Sequence, residues 1–125
     1  MFEQDYVMRL IKEMVRAILK LLLRIDVEAP TPDVLQDVEE KRALEALLDL
    51  VDEGRIEEAE NRLSELVEDP YKNHLESAVL FYSYLNDKSD LFLTEHNFSR
   101  EEVLQGLKAI AARYGIGDMA EAFLD

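Results

Sequence analysis

The chain has 125 residues, of which 48% are hydrophobic and 34% charged, a balance typical of one folded domain and not of a disordered chain. Its formal net charge of −14 argues against nucleic acid as a partner, because binding to phosphates requires a basic surface. It has no cysteine, which excludes disulfides, thiolate nucleophiles and thiolate metal sites. Four glycines and three prolines are too few for the many turns of an all-β chain, so an all-helical fold is predicted.

The N-terminal residues predict a soluble cytoplasmic protein. Glu3 and Asp5 are acidic where a secretory signal carries basic residues, and no small-residue cleavage site follows them. The apolar run at residues 21–23 is flanked by Lys20 and Arg24, so no segment long enough to span a membrane is expected.

The first predicted helix covers residues 3–24 and is amphipathic. At 100° per residue its apolar side chains share one broad face, namely Val7, Leu10, Ile11, Met14, Ile18, Leu21, Leu22 and Ile25. Its basic side chains gather on the opposite face as a basic stripe, namely Arg9, Lys12, Arg16, Lys20 and Arg24. A linker with two prolines follows at residues 25–33, and Thr31 or Asp33 is expected to cap the next helix.

Three further helices are predicted at residues 34–52, 56–68 and 71–86. Gly54 is expected to end the first of them in a left-handed conformation, and Pro70 to end the second. The third is apolar on nearly all sides, so it should lie at the centre of the fold.

The C-terminal helices are predicted within residues 99–124. Ser99 and Glu102 fit a capping box that opens a helix, and a Gly-Ile-Gly segment ends it. Asp118 is expected to cap a last short helix, with Met119, Ala120, Phe123 and Leu124 as its apolar residues. Residues 91–97 fit either a helical turn or a packed loop.

The segment D-E-G-R-I-E-E-A at residues 52–59 predicts a tight turn between antiparallel helices. Gly54 supplies the positive φ, and Ala59 is small enough for two helices to approach closely. Glu57 and Glu58 lie where the positive end of a helix dipole favours carboxylates.

This order of glycine, apolar residue, two acids and alanine resembles the turn of a tetratricopeptide (TPR) helix pair. The resemblance implies a TPR-like stack of antiparallel helical hairpins over residues 33–86, within a single domain of about five to six helices at residues 1–125. The amphipathic helix at residues 3–25 and the C-terminal helices would flank the stack. The next turn, K-S-D-L, does not repeat the pattern.

The opening M-F-E-Q-D-Y-V-M-R-L-I-K-E-M-V resembles the start of a family of short, uncharacterised bacterial all-helical proteins. The likeness extends over most of the chain, including the P-T-P linker. It implies a bacterial cytoplasmic origin and brings no known activity, so no functional residue is carried over from it.

No pattern in the sequence indicates catalysis, a metal or a cofactor. His74 and His96 are the only histidines, and neither has a partner at metal-ligand spacing. Carboxylate pairs are expected by chance among 28 acidic residues, as at Glu39-Glu40, Glu57-Glu58 and Glu101-Glu102. We therefore predict a protein that is not an enzyme and has no catalytic residues.

Two surfaces are candidates for binding a partner. Tyr71, Tyr82 and Tyr84 could line a groove for a peptide or helix, although aromatic residues of a central helix are also expected in the core. Residues 1–25 carry five basic and three acidic side chains, a net +2, in a chain of net charge −14. The basic stripe could be a solvated face, a surface for a homodimer or an acidic protein, or a helix on an anionic membrane.

Three functional hypotheses follow from these features. The first is a cytoplasmic adaptor that binds another protein or a second copy of itself. The second is a peripheral membrane protein that uses residues 3–24. The third is a small ligand-binding or enzymatic helical bundle, which would require a polar pocket holding His74 or several buried carboxylates.

Overall fold

The computed structural model describes residues 2–28 and 30–118, and all regular structure in these ranges is helical. The elements in chain order are α1 (Phe2–Leu21), a 3₁₀ turn (Pro32–Val34), α2 (Val38–Asp52), α3 (Ile56–Val67), α4 (Leu75–Asn86), α5 (Asp90–Glu95) and α6 (Arg100–Arg113). The predicted all-helical fold is confirmed.

Helix α4 is the centre of the fold, as its composition predicted. It packs against α1, α2, α3 and α6, so it has neighbours on most of its circumference. Side chains on all of its sides are therefore buried, and Phe81 and Leu85 are completely inaccessible to solvent.

Helix α1 places its apolar side against α4 and α6. The buried residues are Val7, Ile11, Met14, Val15, Ile18 and Leu19. Leu21 and Leu22, which the periodicity places on the apolar face, are 59% and 41% exposed. The helix ends at Leu21, three residues earlier than predicted, and Leu23 and Ile25 of the following segment still pack against the core.

Helices α2 and α3 form the predicted antiparallel hairpin. Gly54 has φ +83°, and the N–H groups of Gly54 and Arg55 each donate to a carbonyl oxygen of the last turn of α2, those of Val51 and Leu50, at 2.9 Å. These two bonds are the Schellman arrangement that ends a helix at a left-handed residue. Ala59 is completely buried, as expected of a small residue where helices meet.

Two helices begin later than predicted. Helix α2 starts at Val38 because Asp37, and not Asp33, accepts the N–H of the first turn. Thr31 caps only the preceding 3₁₀ turn. Helix α4 starts at Leu75, whose N–H donates to the side-chain oxygen of Asn73 at 2.8 Å.

The C-terminal part follows the prediction up to its last segment. Residues 91–97, for which the sequence allowed a helical turn or a packed loop, overlap the short helix α5. Ser99 and Glu102 form the predicted capping box of α6. Gly115 has φ +74° and ends α6. The predicted helix containing Met119, Ala120, Phe123 and Leu124 lies outside the described residues. A TPR-like stacking of the hairpins stays a prediction.

Candidate functional site

The basic stripe lies on the solvent side of α1, opposite the face that packs on α4 and α6. Arg9, Lys12, Arg16 and Lys20 are all exposed. Within the described part of the chain, none of these four side chains forms an ion pair. Arg24 is separated from them, because it follows the end of the helix and has φ +58°.

Acidic and aromatic side chains accompany the four cations on α1. Asp5 and Glu13 are exposed on the same side of the helix, and Tyr6 is 54% exposed at its edge. The surface is therefore mixed in charge with an excess of cations, a composition suited to a complementary protein surface.

A groove of about 340 Å³ runs beside the basic stripe. It is lined by Arg9, Lys12, Glu13, Val15, Arg16, Glu28, Pro30, Ser83, Asn86 and Asp87. Asn86 is buried at its base and donates to the carbonyl oxygen of Met8 at 3.1 Å, which fixes α1 to α4. The sequence offered no signal for Asn86, since a polar residue at a helix end is more often exposed.

The three candidate tyrosines do not share one groove. Tyr71 is 93% exposed in the turn before α4. Tyr82 is buried, and its hydroxyl donates to Glu60 at 2.8 Å. Tyr82 and Tyr84 are two positions apart on α4, which places their side chains about 200° apart around the helix.

Tyr84 belongs to a small cluster that joins the ends of α2 and α4. Its hydroxyl and the ammonium of Lys88 each donate to Oδ1 of Asp52 at 2.6 Å. Burial opposes ionisation of Asp52, but the hydrogen bonds from Lys88 and Tyr84 outweigh it and lower the pKa of this carboxyl. The cluster is a local clamp between two helices, and its carboxylate and ammonium satisfy each other.

The side chains of both histidines contact other residues of the fold. His74 is buried at the start of α4, where Nδ1 lies against Oε1 of Glu40 and Nε2 lies 4.0 Å from Oδ2 of Asp69. Nδ1 of His96 is 2.8 Å from the carbonyl oxygen of Phe92. A Cβ added at Gly54 would overlap the His96 ring, so that glycine allows a close approach as well as a positive φ.

No group of three or more His, Asp or Glu side chains suited to a metal ion occurs in residues 2–28 and 30–118. Within the same ranges, every helix is too short or too polar to cross a bilayer.

The chain belongs to a protein family that is defined by sequence. A family model described as a family of unknown function, DUF6483, matches residues 1–115. Comparison with curated proteins and with solved structures gives no match. Because the function of the family is unknown, membership assigns no role to the basic stripe or to the groove beside it.

Proposed function

We propose that this chain is a cytoplasmic bacterial protein-interaction module, not an enzyme, that uses the exposed side of α1 to bind an acidic protein surface. The acidic surface belongs either to another protein or to a second copy of the chain. The observation that supports the proposal is the set of four exposed cations on α1 without ion-pair partners among the described side chains.

The charges of the stripe make little contribution to the stability of the fold itself. An exposed ion pair contributes at most about 1 kcal/mol, and these four residues form none with the side chains that the structure describes. Across an interface, however, the same charges steer a partner and set its register. The TPR-like α2–α3 hairpin adds an analogy with domains that bind proteins, which is weaker support because fold alone does not define function.

The packing of α1 gives less support to a peripheral membrane role than to a protein-binding role. A helix that lies on a bilayer inserts its apolar face among the lipids. In this fold that face, including Ile11, Met14 and Ile18, is buried against α4 and α6. Membrane contact by α1 would therefore rest on the basic side and on the exposed Tyr6, Leu21 and Leu22.

Charge reversal in the basic stripe tests the proposal. Arg16→Glu should abolish association with the partner, whereas Arg42→Glu should not, because Arg42 is also exposed but lies on α2. Light scattering on size-exclusion fractions measures self-association, and affinity capture from lysate with both variants as bait measures binding to other proteins.

Salt provides a second readout of the same interaction. At about 0.5 M salt the Debye length falls to about 4 Å, so association through the stripe should weaken strongly. Association that is equal for the native chain and Arg16→Glu would overturn the proposal. So would a chain that stays monomeric and captures nothing reproducibly, and so would capture by anionic vesicles in place of a protein.

A further inference from the structure

A second cavity, of about 440 Å³, lies on a different part of the molecule from the basic stripe. The linker after α1 forms one wall, with Leu23, Ile25, Val34 and Leu35 as its aliphatic part. The rest of the lining is polar or charged, namely Arg24, Gln36, Asp37, Glu40, Asn73, Glu76 and Ser77. Charged groups of both signs beside aliphatic side chains suit a small polar ligand, and the volume is in the usual range for a small-ligand site.

Glu40 is held in place by two buried neighbours. The hydroxyl of Ser77 donates to its Oε2 at 2.6 Å, and Nδ1 of His74 lies against its Oε1. Both Ser77 and His74 are at least 95% buried. Oε2 of Glu40 therefore has a buried hydrogen-bond donor and Oε1 contacts a buried imidazole, so the carboxylate is held at the wall of the cavity.

Glu76 and Arg24 line the same cavity without such partners. They carry opposite charges, yet within the described residues neither forms an ion pair with the other or with a further side chain. Burial raises the pKa of Glu76, and the negative charge of Glu40 adds to this, as expected for a carboxyl that no cation neutralises.

The backbone of Arg24 gives a separate indication that its side chain matters. Arg24 follows the end of α1 by three residues and has φ +58°, a left-handed conformation that is sterically unfavourable for arginine. Glycine adopts this conformation without that cost. The arginine accepts the strain at a position where the residue lines the cavity.

We propose that this cavity binds a small zwitterion of the amino-acid class. The ligand's ammonium lies between Glu76 and Glu40, and its carboxylate lies on the guanidinium of Arg24. Its side chain packs against the aliphatic wall of the linker. This site is independent of the protein partner proposed for the basic stripe, and it assigns Arg24 to a role different from that of the other four basic residues.

Calorimetry on the full chain with each of the twenty common amino acids tests the ligand class. The best ligand is then compared with its two halves, the amine without the carboxylate and the acid without the amine. A charge-assisted hydrogen bond contributes about 1.5–3 kcal/mol, so each half should bind about 10–100-fold more weakly than the whole. If no amino acid binds, or if the amine alone binds as tightly as the whole ligand, the proposal is overturned.

Substitutions in the cavity identify the two contacts separately. Arg24→Gly removes the guanidinium and relieves the backbone strain, so this variant should melt no lower than the native chain. It should weaken binding of the amino acid about 10–100-fold and leave binding of the amine half unchanged.

Glu76→Gln provides the complementary variant, with Glu45→Gln on the exposed side of α2 as its matched control. Glu76→Gln should weaken the binding of the amino acid and of the amine half by the same factor, and Glu45→Gln should change the binding of neither. Binding that survives both Arg24→Gly and Glu76→Gln would overturn the assignment to this cavity.

Discussion

Arg100 is the bulkiest of the fully buried side chains and has an unusual role for a charged residue. Its guanidinium donates to the carbonyl oxygens of Asn86 and Lys88 at 2.5 and 3.0 Å, and to Oδ1 of Asp90 at 2.5 Å. The first is the last carbonyl of α4, where helices leave their carbonyls unpaired, and the second belongs to the turn that follows. Arg100 thus supplies from α6 a donor for the last carbonyl of α4 and fixes the turn after it.

Replacement of Arg100 should be strongly destabilising. Arg100→Met keeps most of the volume but leaves a buried and a partly buried carbonyl without this donor, at about 1–3 kcal/mol for each buried group. We expect a loss of about 2–4 kcal/mol in the free energy of unfolding, measured by urea denaturation. Arg42→Met on the exposed side of α2 is the control and should cost less than about 0.5 kcal/mol. A loss below about 1 kcal/mol for Arg100→Met would show that water replaces the guanidinium.

At the scale of the elements, α4 and α6 approach closely because α6 contains Gly106. A Cβ at Gly106 would overlap the ring of Tyr82, which is buried and hydrogen-bonded to Glu60. A glycine inside a helix costs about 1 kcal/mol relative to alanine, so this position gives up helix stability for helix packing.

Gly106→Ala tests whether packing outweighs helix propensity at that contact. Propensity alone predicts stabilisation, but the overlap with Tyr82 should make the variant about 1–3 kcal/mol less stable by urea denaturation. Ala109→Gly, on the exposed side of α6, is the control, because it measures the effect of helix propensity on stability without the contact to Tyr82. The double variant Gly106→Ala/Tyr82→Leu should recover part of the loss, since the shorter side chain leaves room for the new methyl group.

The sequence predicted the elements that depend on neighbouring residues and missed those that depend on distant ones. The α2–α3 turn and the capping box of α6 are each formed within a few residues, so a short stretch of sequence is enough to predict them. The sequence misplaces the start of α2, because Asp33 and Asp37 are both residues suited to cap a helix. In the sequence Glu40 is one of a chance pair of carboxylates, because Ser77, which hydrogen-bonds it, is 37 residues away.

At the scale of the whole molecule, the dominant property is a net charge of −14 carried on a small fold. Most carboxylates are exposed, but Glu60 is half-buried between α3 and α4. Burial raises the pKa of Glu60, the hydrogen bond from Tyr82 opposes this in part, and the charges of Glu102 and Glu57 add to it. A carboxyl whose pKa is raised by folding stabilises the native state in acid and loses that contribution as pH rises.

Removing the charge of Glu60 should therefore have a pH-dependent effect. Glutamine can still accept the hydrogen bond from Tyr82, so Glu60→Gln should be more stable than the native chain at pH 7. The gain should be below about 1 kcal/mol because solvent screens a half-buried charge, and it should shrink as pH falls toward the ordinary glutamate value of 4.5. Urea denaturation at several pH values measures the difference, and a gain that is constant with pH would contradict the assignment.

The packing of α1 on α4 and α6 also has a consequence for synthesis on the ribosome. The first helix is complete at Leu21, whereas α6 ends at Arg113, about 90 residues later. At roughly 5–20 residues per second, α1 is synthesised roughly 5–20 s before α6 is complete, and until then its apolar side lacks part of the surface against which it packs. During that interval the nascent chain presents an amphipathic segment with cations on one side and unburied aliphatic residues on the other, which is the kind of segment that chaperones bind.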